Sequence, residues 1–131
     1  MQVRDYMSAA PVTIDAGADY QQAFAIMEEK GLHHLPVLDG AGNCAGILAR
    51  RDLQLAARYF HEAPVEVGDV MHTPVTTIPP EADLGVAVER MMAERIGCLP
   101  VSDDGGDHLV GIITETDLLR ALRDLLVQRG G

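Results

Sequence analysis

The residues best placed to do chemistry in this sequence are Thr114 and Asp117, three positions apart in the stretch GIITETDLLRAL. The stretch reads as a buried strand that runs directly into a helix, so both side chains would lie beside the unpaired N–H groups of the first helical turn. An ionised carboxylate only accepts hydrogen bonds, which suits the two neighbouring hydroxyl donors of a ribose. The helix N-terminus and the threonine hydroxyl suit a phosphate.

The same two residues also have a purely structural interpretation. Thr-x-x-Asp before an apolar run is nearly a capping box, which stabilises a helix by roughly 0.5 to 2 kcal/mol without binding any ligand. The two roles can coexist in one motif. Both interpretations therefore stay open at this point.

An earlier stretch, GILARRDLQLAA at 46–57, repeats the outline of this motif. It keeps the acidic residue as Asp52 but has Ala49 in place of the threonine, so a ribose acceptor is kept while one phosphate donor is lost. Arg50 and Arg51 lie close enough in sequence to supply positive charge instead, although surface arginines beside a helix start are commonly just solvated. The sequence predicts that this earlier site is the weaker one.

Self-similarity along the chain indicates that the two stretches belong to a duplicated unit. At an offset of about 64 positions VRDYM matches VGDVM, and LPV at 35–37 matches LPV at 99–101. The offset grows by one residue in the turn after LPV. We therefore divide the chain into two repeats, 1–62 and 63–131.

Each repeat predicts the same order of elements, β-α-β-β-α. The β-branched runs PVTI and PVTTI indicate the first strand. Asp19 and Asp83 are predicted to cap the helices that follow, and Gly31 is predicted to end the first helix. LPVL with CAGIL, and CLPVS with HLVGII, indicate two hairpins closed by polar glycine turns. The leucine-rich stretch TETDLLRALRDLLVQ ends the second repeat as an amphipathic helix.

Composition and charge exclude several classes of partner. A chain of 131 residues with 47% hydrophobic content can bury one ordinary core or two small ones. The net charge of −10 repels polyanions, and the ten lysines and arginines form no run, so nucleic acids and anionic membranes are poor partners. No apolar stretch approaches the roughly 20 residues of a membrane-spanning helix, and the N-terminus lacks a signal-peptide core. We expect a cytoplasmic protein.

The sequence gives little support for a metal centre or a catalytic site. Cys44 and Cys98 stand far apart without a C-x-x-C motif, and we interpret them as small buried hydrophobic residues. His33 and His34 are adjacent, and neighbours on a strand point to opposite faces, which makes a poor metal chelate. No Ser-His-Asp arrangement or Walker loop is recognisable, because the glycine-rich stretches read as hairpin turns. We therefore predict no enzymatic activity and no cofactor.

The motifs PVTTI, CLPV and GIITETDL resemble the CBS domain, named for cystathionine β-synthase, and two tandem copies resemble a Bateman module. The resemblance implies a mixed α/β fold of two β-α-β-β-α repeats packed sheet to sheet about a pseudo-twofold axis. In many members two clefts hold the adenosine part of AMP, ADP, ATP or S-adenosylmethionine. The resemblance thus implies a stand-alone regulatory or energy-sensing module that binds an adenine nucleotide. A module for S-adenosylmethionine or NAD(H), and a dimerisation scaffold with vestigial clefts, remain as alternatives.

The resemblance also assigns residues to the two clefts, because in related modules each cleft is shared between the repeats. The main site would have the two histidines near the phosphates and comprises Thr114, Asp117, Ile112, Val12, Thr13, His33, His34 and Pro36. The second site brings no charge from the other repeat. It comprises Asp52, Ile47, Val75, Thr76, Gly97 and Cys98.

Broad apolar helix faces predict a homodimer, since the repeats are too thin to cover both sides of their sheets. The candidate faces are 23–27, 87–93 and the helices that begin near Arg51 and Glu115. In a sensor of this kind the ligand favours one arrangement of the repeats, and a regulated partner protein or a second copy of the chain reads the change.

Overall fold

The computed structural model describes residues 1–59, 65–103, 105 and 108–130. Its elements are the short 3-10 helix η1 (Val3–Asp5), the strands β1 (Ser8–Ala9), β2 (Ile14–Asp15), β3 (His34–Leu38), β4 (Cys44–Ala49), β5 (Cys98–Asp103) and β6 (His108–Thr114), and the helices α1 (Tyr20–Lys30), α2 (Arg50–Tyr59), α3 (Val67–Val70), α4 (Leu84–Glu94) and α5 (Glu115–Gly130). The chain forms two compact units. We call Met1–Ala10 with Thr76–Gly131 unit 1, and Pro11–Val75 unit 2.

Unit 2 is built on a three-stranded sheet in the order β2-β3-β4. Strands β3 and β4 form the predicted antiparallel hairpin, with Leu35 opposite Leu48, and β2 joins β3 in parallel. Helix α1 contributes Ala23 and Met27 to the core that packs against this sheet. Their side chains and those of Leu35 and Leu48 are at most 1% exposed. The spacing of four residues between Ala23 and Met27 places both on the apolar face that the sequence pattern predicts.

Unit 1 is built on a three-stranded sheet in the order β1-β6-β5. Its β5–β6 hairpin sets Leu99 opposite Ile113, and α4 buries Ala87 and Met91 against it. The run PVTTI, predicted as a first strand, contributes a single parallel bridge at Ile78. Strand β1 from the start of the chain takes the other edge of the sheet by pairing antiparallel with β6.

The fold class predicted from the sequence, a mixed α/β fold of two CBS-like repeats, is confirmed. Unit 2 shows the full β-α-β-β-α order, and unit 1 shows the same order with its first strand reduced to a bridge. The predicted repeat boundary at 62/63 and most of the DDGGD turn lie outside the described residues. Within the described ranges, no helix has the length and apolar character that a membrane crossing requires.

The ends of α1 and α4 follow the predicted local signals with two differences. The Asp19 carboxylate accepts the N–H of Gln21 at 2.8 Å, and Gly31 ends α1 in the left-handed conformation with φ 65°, as predicted. Asp83 stands at the N-cap of α4, but its side chain accepts no hydrogen bond from the helix. Arg95 ends α4 with φ 56°, a conformation that is strained for any residue with a Cβ.

The first ten residues belong to unit 1, although in the sequence they lie in the first repeat, whose residues from Pro11 onward belong to unit 2. There Val3 is fully buried and donates its N–H to the carbonyl of Ala82 at 2.9 Å. The matching segment of unit 2 repeats the contact, because Val67 is fully buried and donates to Ala18 at 2.8 Å. Each segment thus completes the core of its unit in the same way.

Candidate functional site

The junction between β6 and α5 brings Thr114 and Asp117 into direct contact. Thr114 is the last residue of the strand, and Asp117 lies in the first turn of the helix. The Oδ2 atom of Asp117 accepts the main-chain N–H of Thr114 at 2.8 Å and its hydroxyl at 3.2 Å. Asp117 is only 6% exposed. The motif therefore stabilises the helix start and at the same time gathers a carboxylate and a hydroxyl at one place.

The second carboxylate oxygen of Asp117 binds a residue that the sequence analysis did not single out. Its Oδ1 atom accepts a hydrogen bond from Nη2 of Arg120 at 2.7 Å. A nearly buried carboxylate is costly without a counter-charge, and Arg120 supplies it while its own side chain stays 47% exposed. The acidic–basic spacing of three positions on a helix was the available sequence signal for this pair.

These contacts leave the Asp117 carboxylate partly free to accept. An ionised carboxylate offers about four lone-pair positions, and here three of them face Thr114 and Arg120. Among the described residues, one position on Oδ1 has no donor, and a second would be freed if Arg120 withdrew. Two neighbouring hydroxyl donors would need both positions.

Arg120 also contacts the first segment of the chain. The same Nη2 atom donates to the carbonyl oxygen of Tyr6 at 2.9 Å. The Tyr6 hydroxyl in turn donates to Oδ2 of Asp124 at 2.7 Å, one turn beyond Arg120 on α5. This hydrogen bond raises the pKa of Tyr6 above its ordinary 10.0 and lowers the pKa of Asp124 below its ordinary 3.8.

Two of the predicted second-site residues, at the start of β5 and directly before it, lie beside the same junction. Cys98 lies opposite Thr114 in the β5–β6 ladder and is 3% exposed. The carbonyl of Gly97 accepts the N–H of Glu115, the first residue of α5, at 3.1 Å. Ile112, two residues before Thr114, is buried in the same strand. Within unit 1, the strand side of the junction therefore places small and apolar residues beside the polar pair.

The matching junction in unit 2 has the simpler arrangement that its sequence predicts. The Oδ2 atom of Asp52 accepts the N–H of Ala49 at 2.9 Å, and alanine has no hydroxyl to add. His34 lies opposite Ala49 in the β3–β4 ladder, and the carbonyl of His33 accepts the N–H of Arg50 at 2.9 Å. The two histidines thus flank the start of α2 within unit 2.

Arg50, considered above as a source of charge for the weaker site, is engaged elsewhere. Its guanidinium bonds the Glu28 carboxylate at 3.0 Å and the carbonyls of Met27 and Leu32 at 3.3 and 3.4 Å. The Met27 carbonyl already accepts the N–H groups of Gly31 and Leu32, so Arg50 adds a further bond there and binds the Leu32 carbonyl just beyond the end of α1. The interpretation of Arg50 as a merely solvated side chain is wrong, and its role as a phosphate partner stays a prediction.

The remaining predicted site residues lie apart from these two junction contacts. Pro36 and Ile47 are opposite each other in the β3–β4 ladder and are buried. The hydroxyl of Thr76 donates to the Glu94 carboxylate at 2.7 Å, at the end of α4. The other three lie outside strands and helices and are the exposed Val12 and the half-buried Thr13 and Val75. Assignment of all these residues to a ligand site stays a prediction.

Cysteine and metal chemistry find no support in the described residues. Cys98 is buried and Cys44 is half-buried. Burial raises the pKa of the Cys44 thiol, which makes it less nucleophilic. In the described ranges no three His, Cys, Asp or Glu residues are grouped so that they could hold a metal ion.

Two segments of the chain, 3–58 and 67–124, match the family model of the CBS domain. The chain belongs to the CBS-domain family. A CBS domain-containing protein of Dictyostelium discoideum is 31% identical to it, over 96% of this chain and 91% of the relative.

Solved CBS structures superpose over almost the whole chain. A protein of Vibrio cholerae, assigned to acetoin utilisation, is 34% identical with a TM-score of 0.88, covering 100% of this chain and 98% of its own. A CBS domain pair solved with 5′-methylthioadenosine and S-adenosyl-L-methionine is 25% identical with a TM-score of 0.85, covering 95% of this chain and 97% of its own.

Other relatives are much longer enzymes that contain a similar region. This chain spans 15% of the A-adding tRNA nucleotidyltransferase of Aquifex aeolicus, with 25% identity over 124 residues. It spans 24% of the homoserine O-acetyltransferase of Methanococcoides burtonii, with 32% identity over 120 residues. The similarity to these enzymes concerns the CBS pair and leaves most of each enzyme unmatched.

Proposed function

We propose that this CBS-domain pair binds an adenine nucleotide, AMP, ADP or ATP, at the start of α5 and acts as a regulatory module without catalysis of its own. The observation that carries the proposal is the contact between the nearly buried Asp117 carboxylate and the Thr114 hydroxyl at a helix N-terminus. A carboxylate used only for capping has no need of this hydroxyl, and the Asp52 junction does without one.

The chemistry of the junction matches the parts of a nucleotide. The remaining acceptor position on Asp117 suits a ribose hydroxyl, and the N–H groups that follow Glu115 in the first turn of α5 suit a phosphate. The buried Ile112 offers apolar surface for a base. Because the chain carries a net charge of −10, it attracts no anion at long range, and a phosphate must be held by such local donors.

The related CBS pair solved with 5′-methylthioadenosine and S-adenosyl-L-methionine supports the adenosine part of this proposal. A helix N-terminus favours negative charge, so it favours a phosphorylated nucleoside over the cationic sulfonium of S-adenosylmethionine. The resemblance to family members adds Val12, Thr13, His33, His34 and Pro36 as further ligand contacts in the main site. A variant with His33→Ala and His34→Ala tests that addition by its affinity for AMP against that for adenosine.

Regulation in this proposal rests on differential binding. A ligand shifts a protein only toward the conformation that holds it more tightly, and the coupling of two sites is reciprocal. A regulated protein or a second copy of the chain then reads the shifted population. Catalysis plays no part, so the nucleotide is returned unchanged.

A thermal melting screen with AMP, ADP, ATP, S-adenosylmethionine and NADH tests the proposal. A ligand at 100 times its Kd stabilises the folded state by about 2.7 kcal/mol, which gives a clear rise in Tm. We expect the largest rise with a phosphorylated adenosine and a smaller one in the Asp117→Ala variant. No rise with any ligand would favour the scaffold alternative, and release of converted nucleotide would indicate an enzyme.

A further inference from the structure

Four residues of unit 1, the proposed ligand carboxylate among them, form a connected set of hydrogen bonds that reaches the first segment of the chain. Arg120 bonds Asp117 at 2.7 Å and the Tyr6 carbonyl at 2.9 Å, and the Tyr6 hydroxyl bonds Asp124 at 2.7 Å. We call these four residues the Tyr6 clasp. They tie segment 1–10 to α5, the helix that begins at the proposed site.

Unit 2 lacks the residues that would form such a clasp. The positions that match Tyr6 and Arg120 are Val70 and Leu55, whose side chains cannot form these hydrogen bonds. Nevertheless the matching segment of unit 2 keeps its buried Val67 and its main-chain bonds. The clasp is therefore not required to dock such a segment, and it occurs in the unit that also has Thr114.

Arg120 and a bound diol would compete for the same carboxylate oxygen. Three of about four acceptor positions on Asp117 are used, so both hydroxyls of a ribose can bind only when Arg120 leaves Oδ1. The side chain of Arg120 is 47% exposed and can turn into solvent. Once it leaves Asp117, the guanidinium loses the contact that orients it toward the Tyr6 carbonyl.

We infer that Arg120 couples occupancy of Asp117 to the anchoring of segment 1–10. In the free protein Arg120 occupies the carboxylate and holds the segment through Tyr6. A vicinal diol at Asp117 displaces the guanidinium and loosens the segment, which becomes the part of unit 1 that reports the bound ligand. Arg120 is a positioning residue in this device, and the inference rests on the proposed function for the identity of the displacing ligand.

The anchoring of segment 1–10 by Arg120 in the protein without ligand is tested by hydrogen exchange of the peptide that covers this segment. Asp117→Asn and Arg120→Leu each break the Asp117–Arg120 ion pair, and leucine is the residue at the matching helical position 55. We expect each variant to exchange about threefold faster or more in this peptide, and the double variant to be no faster than Arg120→Leu alone. Asp52→Asn and the exposed Arg129→Leu are the controls and should leave it unchanged.

Unchanged exchange in Arg120→Leu, or additive effects in the double variant, would overturn the coupling. The additive result matters because a carboxylate that only caps α5 would loosen the region independently of Arg120. A double variant that exchanges no faster than Arg120→Leu would therefore point to the path through Arg120. This comparison needs no nucleotide.

The loosening of segment 1–10 by bound ligand is tested with AMP as the probe, under conditions where calorimetry shows that AMP is bound. We expect AMP to speed exchange of segment 1–10 in the wild-type chain and to have no effect in Arg120→Leu, although that variant still binds AMP. Bound AMP that slows or leaves unchanged the wild-type exchange would overturn the inference while the proposed function stands. If neither AMP nor any other adenosine ligand binds, the proposed function and the displacement of Arg120 by ligand are both contradicted. The exchange of the variants without ligand still decides whether Arg120 anchors segment 1–10.

Discussion

The sulfur of Met7 lies 2.7 Å from the position that a Cβ on Gly111 would occupy, and the carbonyl oxygen of Ser8 lies 2.8 Å from it. The same relationship holds in unit 2, where the sulfur of Met71 lies 2.6 Å from a Cβ position on Gly46. The glycine that opens each GI motif thus leaves room for the segment that completes the sheet. Its role is steric and is the same in both units.

Replacement of Gly111 or Gly46 by alanine should therefore destabilise the fold. Overpacking of this kind costs about 1 to 3 kcal/mol, because the backbone oxygen beside each site cannot move as a side-chain tip can. Urea unfolding of both variants measures the loss. Gly40→Ala is the matched control, since its added Cβ would meet nothing within 4 Å. An equal loss in the control would show that the close approach of the methionine segment is irrelevant.

At the strained end of α4, a substitution by glycine should stabilise the fold. Arg95 adopts φ 56° at the position where α1 has Gly31. Arg95→Gly should raise the free energy of unfolding by about 0.5 to 1 kcal/mol, because relief of left-handed strain exceeds the added chain entropy. Gly31→Ala should lower it by a similar amount. Thermal melting of both variants decides the point, and a stability loss in Arg95→Gly would refute it.

The Tyr6–Asp124 hydrogen bond makes the anchoring of segment 1–10 depend on pH. The pKa of Tyr6 is raised by this bond, so its contribution is complete below 10.0 and is lost as pH rises through the raised value. The pKa of Asp124 is lowered by the same bond, so its contribution is present above 3.8 and is lost as pH falls through the lowered value. Segment protection should hence be greatest between these limits.

Ultraviolet titration of tyrosine ionisation checks this pair directly. In Asp124→Ala the pKa of Tyr6 should fall back toward 10.0, since its main cause has been removed. Arg129→Ala removes a charge near the end of α5 and should have little effect. A Tyr6 pKa that is unchanged in Asp124→Ala would mean that the hydrogen bond does not persist in solution.

The outer face of α5 predicts a homodimer. Leu119, Leu122 and Leu126 are 64%, 49% and 60% exposed and recur at helical spacing, which leaves an apolar stripe uncovered. Light scattering should show a dimer at micromolar concentration, and the double variant Leu119→Glu with Leu126→Glu should be a monomer. Gln128→Glu is the control for added charge. A wild-type monomer would contradict the prediction.

Much of the fold could be predicted from local signals. The cap at Asp19, the left-handed Gly31 and both hairpins depend on neighbouring residues, so a short window of sequence contains their cause. The docking of segment 1–10 against 76–131 could not be predicted in this way, because VRDYM and VGDVM match each other without indicating which sheet each one joins.

In the candidate site, too, the local contacts could be predicted from the sequence and the long-range contacts could not. The contact between Thr114 and Asp117 follows from their spacing across a strand-to-helix junction. The bond from Arg120 to Tyr6 joins residues far apart in sequence, and only the tertiary fold brings them together. Arg50 was misjudged for the same reason, because its partners lie on another helix.

Calorimetric titration with AMP of the wild-type chain, Asp117→Ala and Asp52→Ala tests the central claim most directly. Loss of hydrogen bonds to a charged acceptor, each worth roughly 1.5 to 3 kcal/mol, should weaken binding at least about tenfold in Asp117→Ala and much less in Asp52→Ala. Melting measured alongside reports stability. Equal losses at the two positions would contradict the predicted asymmetry, and a stability loss at Asp117 with unchanged AMP affinity would show that the motif only caps its helix.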